Sequence, residues 1–282
     1  MARDVLGRLS LAPSHSRSLR HGPILNPFLA RSLSWVLLIL SGSVAPSVAA
    51  AQDSTDIGVP LPAAKPYAIK WWGVGAVVGA GLVAMAVVDE PVQQWAANPA
   101  NHGSTANDIA STSRRFGEVE VVVPVTAGII VAGLAAHNQA LLRSGLRIGA
   151  SVAVASLVTG VFKYALGVER PYQTEEPGDF DPGSGNTSLW SGHTAMAFSF
   201  ATALSQEAHR PWATVGLYTL ATATGLSRVY DNQHWVSDVF VGAAIGIASA
   251  KLATGRWTIF GLRAPVPLAT PTGVSVMWHG TF

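Results

Sequence analysis

Apolar and polar positions along this chain fall into long blocks rather than into the one-sided stripes of a soluble helix. Trp71 to Val88 (WWGVGAVVGAGLVAMAVV) is apolar throughout, long enough to span a bilayer, and opens with an aromatic pair. A second block covers 119–136, with Pro124 inside it, and a third runs from about Leu141 to Ala165. Three more fit 193–206, 211–227 and 235–253, so the pattern predicts an all-α bundle of six helices. The polar stretch 89–118 reads as a loop or surface helix, and 172–187 (YQTEEPGDFDPGSGNT) as a loop. From Arg256 to Phe282 residues alternate in strand fashion around a Pro/Gly turn, which predicts a terminal β-hairpin.

The blocks are rich in Ala, Gly, Val and Ser and poor in Leu, a composition that lets helices pack closely. Several fall short of the ~20 apolar residues of a comfortable span. A membrane-embedded bundle is the first expectation, and a soluble exported bundle is its alternative. Charged residues make up 12% of the chain against 49% hydrophobic, with a mean hydropathy of +0.33, which favours the first.

The formal charge of +2 arises in the first 51 residues. Arg3, Arg8, Arg17, Arg20 and Arg31 precede a short apolar run, WVLLIL, and a small-residue stretch, SVAAAQ. That is the layout of an export signal, the alternative being a first membrane anchor over 33–50. Cleavage after Ala49 or Ala51 leaves 13 Lys+Arg against 15 Asp+Glu, a net of −2, so nothing basic points to a nucleic-acid partner. The division is then a leader over 1–51, one catalytic domain over 52–254, and a tail or hairpin over 255–282. With no cysteine, disulfides, thiolate chemistry and cysteine-ligated zinc are excluded.

Three short polar clusters interrupt the apolar half, where charge is costly unless paired or used. In KYALGVERP, Lys163 and Arg170 stand seven residues apart, two helical turns, and are expected on one face of a helix that stops at Pro171. Alone, they are ordinary complements to a helix C-terminus. In WSGHT, Ser191, Gly192 and His193 lie where a loop turns into a helix, a place where backbone N–H groups bind anions. Alone, Ser191 is an N-cap and His193 a satisfied interfacial histidine. In SRVYDNQHWVSD, His234 and Asp238 are one helical turn apart, so the carboxylate can accept from Nδ1 and leave Nε2 free as a nucleophile. Arg228 ends the preceding helix. Alone, the His/Asp pair merely satisfies itself.

Taken together these residues describe one pocket. Helices that alternate in direction bring all three clusters to one end, where cations and amides hold a tetrahedral oxyanion. One histidine attacks and the other protonates the leaving group. This is phosphoryl transfer without a metal, and no HExxH-like or paired-carboxylate cluster argues otherwise. The acids at 175–181 read as a solvated lid, with a cation site the other reading.

Lys163 to Pro171 fits KxxxxxxRP, Ser191 to His193 fits SGH, and Ser227 to Asp238 fits SRxxxxxHxxxD, in that order. In this the chain resembles the type 2 phosphatidic acid phosphatase (PAP2) superfamily, with its acid phosphatases and vanadium haloperoxidases. The resemblance covers about 66–253. It implies that His234 forms a phosphohistidine, that Asp238 orients it, and that His193 is the general acid. It also implies that Lys163, Arg170, Ser191, Gly192 and Arg228 bind phosphate, with no metal or cofactor. One departure is Trp190, where a proline is usual before SGH.

The substrate expected is a lipid phosphate or diphosphate at a membrane. The rivals are a soluble exported acid phosphatase acting on small esters, a haloperoxidase holding vanadate, and a non-enzymatic membrane scaffold. Sidedness carries a conflict. An exported N-terminus followed by six spans puts Arg170 in the cytoplasm. The positive-inside rule puts it outside, because Lys70, Arg143, Arg147, Arg210, Lys251, Arg256 and Arg263 lie opposite the site, against Arg114 and Arg115 near it. The expectation adopted is a site facing the periplasm of a bacterial-type envelope.

Overall fold

The computed structural model describes residues 67–260, 262, 266–270 and 273–277. The leader expected over 1–51 lies outside them, as does Arg263. A two-residue strand β1 (Tyr67–Ala68) leads into α1 (Trp71–Val87), α2 (Asp89–Ala97), α3 (Ser104–Arg114), α4 (Val119–Ala135) and α5 (Gln139–Leu166). After a long loop come α6 (Gly192–Ala208), α7 (Pro211–Tyr230) and α8 (Val236–Ala253), then β2 (Trp257–Thr258), β3 (Val266–Thr270) and β4 (Gly273–Met277).

The fold is thus a helical bundle in which each of the six expected helices is present. The region 89–118 is the main difference. It holds α2, α3 and two 3₁₀ turns, Pro99–Asn101 and Arg115–Gly117, so the described residues contain eight α-helices. Pro91 explains why α2 is separate from α1. Its ring has no N–H to offer the carbonyl four residues back and crowds it, and the two helices meet at 52°.

Directions alternate: α5 and α7 rise toward the end that carries the motifs, and α6 and α8 descend from it. Helix α6 is central and packs on α5, α7 and α8, while α4 lies outside α5 and α1 outside α8. The core is small and mixed: Val122, Ile148, Val152, Phe200, Ala203 and Ala250, with Phe116 edge-on to Phe200 at 5.7 Å. On α8, Gly242 and Gly246 face α6. A Cβ on Gly246 would sit 2.4 Å from the Ala195 carbonyl oxygen, and one on Gly242 would sit 2.8 Å from that of Ser191. Only glycine permits so close a crossing.

Helices α5 and α8 are long and apolar enough to cross a membrane. The bent pairs, α1 with α2 and 104–117 with α4, also qualify if each counts as one span. Their outer faces are apolar. Val78, Leu82, Val131, Leu157, Val161 and Leu226 are all more than half exposed, a surface that water does not favour. At the chain's end β3 and β4 pair antiparallel, Val266 opposite Met277 and Thr270 opposite Gly273, which is the terminal hairpin. Strand β1 pairs in parallel with β2, tying the start of α1 to the end of α8.

Candidate active site

Four helix ends converge on one buried polar cluster. Lys163 lies in the last turn of α5, yet it is only 6% exposed. Its ammonium donates to the carbonyls of Thr187 and, at 3.2 Å, Ser188. Its partners are carbonyls and not a carboxylate, so no salt bridge ties the ammonium to the protein.

Arg170 reaches the same place by a route that spacing alone does not predict. Helix α5 stops at Leu166, because Gly167 takes a left-handed turn (φ 58°) in which a Cβ would strike the Asp181 carbonyl oxygen at 2.0 Å. Arg170 therefore stands beyond the helix, not two turns along its face. Val168 bridges to Phe180, and the chain carries Arg170 back over the site. Its guanidinium donates to Gln233 Oε1 at 2.8 Å and to Thr187 Oγ1 at 3.2 Å.

Ser191 is the N-cap of α6, as its bland reading has it. Its oxygen accepts from the Thr194 amide at 3.4 Å and from the Thr194 hydroxyl at 2.8 Å. Both bonds use its lone pairs, so its own O–H is still free to donate. Gly192 and His193 are the first two residues of the helix, whose leading amides have no intrahelical acceptor. A Cβ on Gly192 would lie 3.9 Å from Lys163 Cε, which fixes the α6 N-terminus beside the ammonium.

His234 lies in the tight connection between α7 and α8, 3% exposed. Its Nδ1 faces Asp238 Oδ2 at 3.3 Å. The same carboxylate oxygen accepts from the Trp235 amide at 3.2 Å and from the Ser188 hydroxyl at 2.6 Å. Asp238 is fully buried, and its other oxygen, Oδ1, has no hydrogen-bond partner; neither has Arg228 Nε, although Arg228 is also buried. Arg228 is fastened from one side only, through a 3.1 Å bond to Asp231 Oδ2. Buried polar atoms without partners are rare and call for a reason.

Burial pushes the His234 imidazole well below its ordinary value of 6.5, and Lys163, Arg170 and Arg228 push it further. Burial and then Arg228, His234, Lys163 and Arg170 take His193 down to about 3. Both rings are neutral at neutral pH. All eight residues singled out from the sequence thus share one site.

Ser188, Thr187, Gln233 and Asp231 complete it, and sequence reading passed over them. Ser188 lies three residues before Ser191, and Asp231 and Gln233 lie inside the quoted motif, but nothing local says which partner each meets. Trp190 packs against Phe162 with ring centroids 4.4 Å apart. An aromatic pair thereby flanks Lys163 on one chain segment and Ser191 on the other. Among the described residues, no three His, Cys, Asp or Glu side chains cluster as metal ligands.

Known proteins resemble this chain in sequence and in fold. Residues 144–258, which carry all three motifs, match the family model of the PAP2 superfamily. A relative, the lipid A 1-phosphatase of Porphyromonas gingivalis, is 32% identical over 147 residues, which is 51% of this chain and 30% of that protein's length. The crystal structure of a transmembrane PAP2-type phosphatidylglycerolphosphate phosphatase from Bacillus subtilis has the same fold. Its TM-score is 0.50 at 22% identity, over 64% of this chain and 94% of that one. The crystal structure of Aquifex aeolicus LpxE also matches, with a TM-score of 0.44 at 21% identity, over 54% and 87% of the two chains.

Proposed function

We propose that this protein is a membrane lipid phosphatase working through a phosphohistidine on His234. The observation that carries the reading is the His234–Asp238 pair at 3.3 Å set among two buried cations, Lys163 and Arg228, and the partly buried Arg170, with Arg228 Nε and the Ser191 O–H still open to an oxyanion. Lys163, Arg170, Arg228, Ser191 and the Gly192 amide hold the phosphoryl oxygens and stabilise the charge that spreads over them in the transition state. His234 Nε2 attacks phosphorus. The P–O ester bond breaks, and His193 gives its proton to the departing oxygen. Water then attacks the phosphoryl group and the P–N bond breaks, while His193 takes the water's proton; inorganic phosphate leaves.

A neutral His234 is what a nucleophile requires. A general acid here must carry a second ring proton, and the neutral His193 of the free protein does not. The incoming phosphate supplies the negative charge that raises its affinity for one. Every group in this scheme comes from the chain, so the scheme calls on no metal or other cofactor.

Lipid is the substrate class supported by the apolar outer faces of the helices and by the Phe162–Trp190 pair beside the phosphate-binding residues. The names of the relatives point the same way. Lys70, Arg143, Arg147, Arg210, Lys251 and Arg256 gather at the end opposite the site, which supports a site on the periplasmic side. A soluble exported phosphatase is the second reading, motivated by α6 and α7, which fall outside the helices able to span.

The test measures phosphate release in EDTA from a short-chain phosphatidic acid and from a soluble aryl phosphate, by wild type and His234→Ala, with membranes washed in high salt beforehand. Preference for the lipid, loss of turnover in the variant and retention in the membrane fraction are expected. Activity that washes off and ignores the lipid favours the second reading. EDTA-sensitive release, or release unaffected by His234→Ala, sinks the mechanism.

A further inference from the structure

Helix α2 lies outside the PAP2 match, one residue after α1, and no motif runs through it. Its first residue, Asp89, is nevertheless among the most buried charged groups in the protein, 1% exposed. One carboxylate oxygen accepts the backbone N–H of Ser237 at 2.9 Å, and the other accepts the Ser237 hydroxyl. Ser237 is the second residue of α8, beside Asp238 and three residues after His234. A carboxylate at that position caps the helix and suits its positive end.

One turn further along α2, on the same face, Gln93 Nε2 donates at 3.2 Å to the carbonyl of Pro171, the residue after Arg170. Asp89, Gln93, Pro171, Asn232, His234 and Trp235 together line one narrow gap beneath the site.

Resting on the phosphatase reading above, we infer that α2 is a clamp that sets the two halves of the phosphoryl-transfer site in register. Asp89 positions the nucleophile through Ser237, and Gln93 positions Arg170 through Pro171. Neither touches the reacting phosphate. A buried carboxylate 148 residues from its partner is costly to keep unless the geometry it fixes is needed. Here that geometry is the approach of the His234–Asp238 pair to a phosphorus held on the other side by Arg170. An error on the order of 1 Å at such a point costs about 10²-fold in rate.

The experiment compares wild type, Asp89→Ala, Asp89→Asn, Ser237→Ala, Asp89→Ala/Ser237→Ala, Gln93→Ala and His234→Ala in detergent, with thermal melts of each and steady-state kinetics on a soluble aryl phosphate. Asp89→Ala is expected to lower kcat about 10- to 100-fold with KM changed less than about threefold. Asp89→Asn keeps one acceptor and falls between it and wild type, and it decides the matter if the alanine variant does not fold. The double variant matches Asp89→Ala, because both changes cut the same link. Gln93→Ala is expected to raise KM more than it lowers kcat.

A folded Asp89 variant with kcat within twofold of wild type overturns the clamp. So does a loss that only tracks the fraction of protein folded. If His234→Ala keeps wild-type turnover, the phosphatase reading itself falls, and the clamp with it; a dead His234→Ala beside an unimpaired Asp89→Asn removes the clamp alone.

Discussion

The same four helices end in two different ways. At the end away from the motifs, Arg147 of α5 meets Glu207 of α6 at 3.3 Å, and the Ser144 hydroxyl donates to the same carboxylate at 2.6 Å. Thr254 donates to Gln206 at 2.6 Å, and Lys251 lies over the Trp257 ring at 4.8 Å. These buried and half-buried polar groups find their partners inside the protein. At the motif end, Lys163 has only carbonyls, Arg228 Nε and Asp238 Oδ1 have nothing, and two histidines are held neutral among three cations. One end is closed upon itself, and the other is complete only with an anion. Burial alone therefore does not mark the site. What marks it is buried polarity that the protein does not itself satisfy.

The sharpest way to break that contrast is to remove the nucleophile. His234→Ala is expected to lower kcat by about 10⁴-fold or more, as loss of a nucleophile does when nothing replaces it. The check is phosphate release from the aryl ester over long incubations. Residual turnover within about tenfold of wild type would move the covalent step elsewhere.

Next in size is a matched pair of arginine changes, one at each end. Arg228→Ala removes the half-fastened guanidinium and is expected to cost about 10²- to 10³-fold in kcat, the scale for a lost oxyanion donor. Arg147→Met removes the guanidinium that pairs with Glu207 and has no buried N–H unmet. It is expected to leave kcat within about twofold and to cost about 1 kcal/mol of stability, since Glu207 is left half-buried without its cation. Steady-state kinetics and thermal melts of both variants decide it, and a reversed pattern means the ends have been assigned the wrong way round.

Ser188→Ala is a smaller change at the motif end. The hydroxyl shares Asp238 Oδ2 with His234 Nδ1, and its 2.6 Å bond is the shortest that oxygen accepts. Removing it leaves two donors on Oδ2 and loosens the carboxylate that aims the ring. A three- to tenfold fall in kcat is expected, with a smaller effect for Ser188→Thr, which restores a hydroxyl. No change in kcat would mean that the Trp235 amide alone is enough to hold Asp238.

The sequence shows some of this plainly and hides the rest for identifiable reasons. Lys163, Ser191, Gly192, His193, Arg228, His234 and Asp238 stand out because they are polar residues at the edges of long apolar blocks, and such blocks end where helices end. Alternating helices then bring them together with no further information. The hairpin is legible from its two alternating runs around a Pro/Gly turn. Arg170 is legible as a site residue but not in its placement, since a left-handed glycine at 167 is invisible to a count of helical turns. Ser188 and Asp89 are ordinary loop and helix-start residues in the sequence. Their meaning comes from partners 50 and 148 positions away, Asp238 and Ser237. Region 89–118 reads as polar connection because α2 and α3 are short, polar on average and bury few residues, so no apolar block marks them.

The last contrast between the two ends is in their response to acid. His193 is held at about 3 in the folded protein against an ordinary 6.5. Between those values the unfolded chain binds a proton that the folded one refuses, so stability rises with pH in that window. The contribution is fully present above about pH 6.5 and is lost progressively as pH falls toward 3. Near pH 5 the loss from this one ring is on the order of 1 kcal/mol once solvent access is allowed for, a few degrees in Tm for a chain of this size. His193→Gln removes the ring and is expected to flatten the fall of Tm between pH 6.5 and 4.5, while Arg147→Met, at the closed end, shifts Tm by the same amount at every pH in that range. Parallel curves for wild type and His193→Gln would show that the site end holds its histidine as comfortably charged as neutral. The positive field attributed to Lys163, Arg170 and Arg228 would then have to be screened in the free protein.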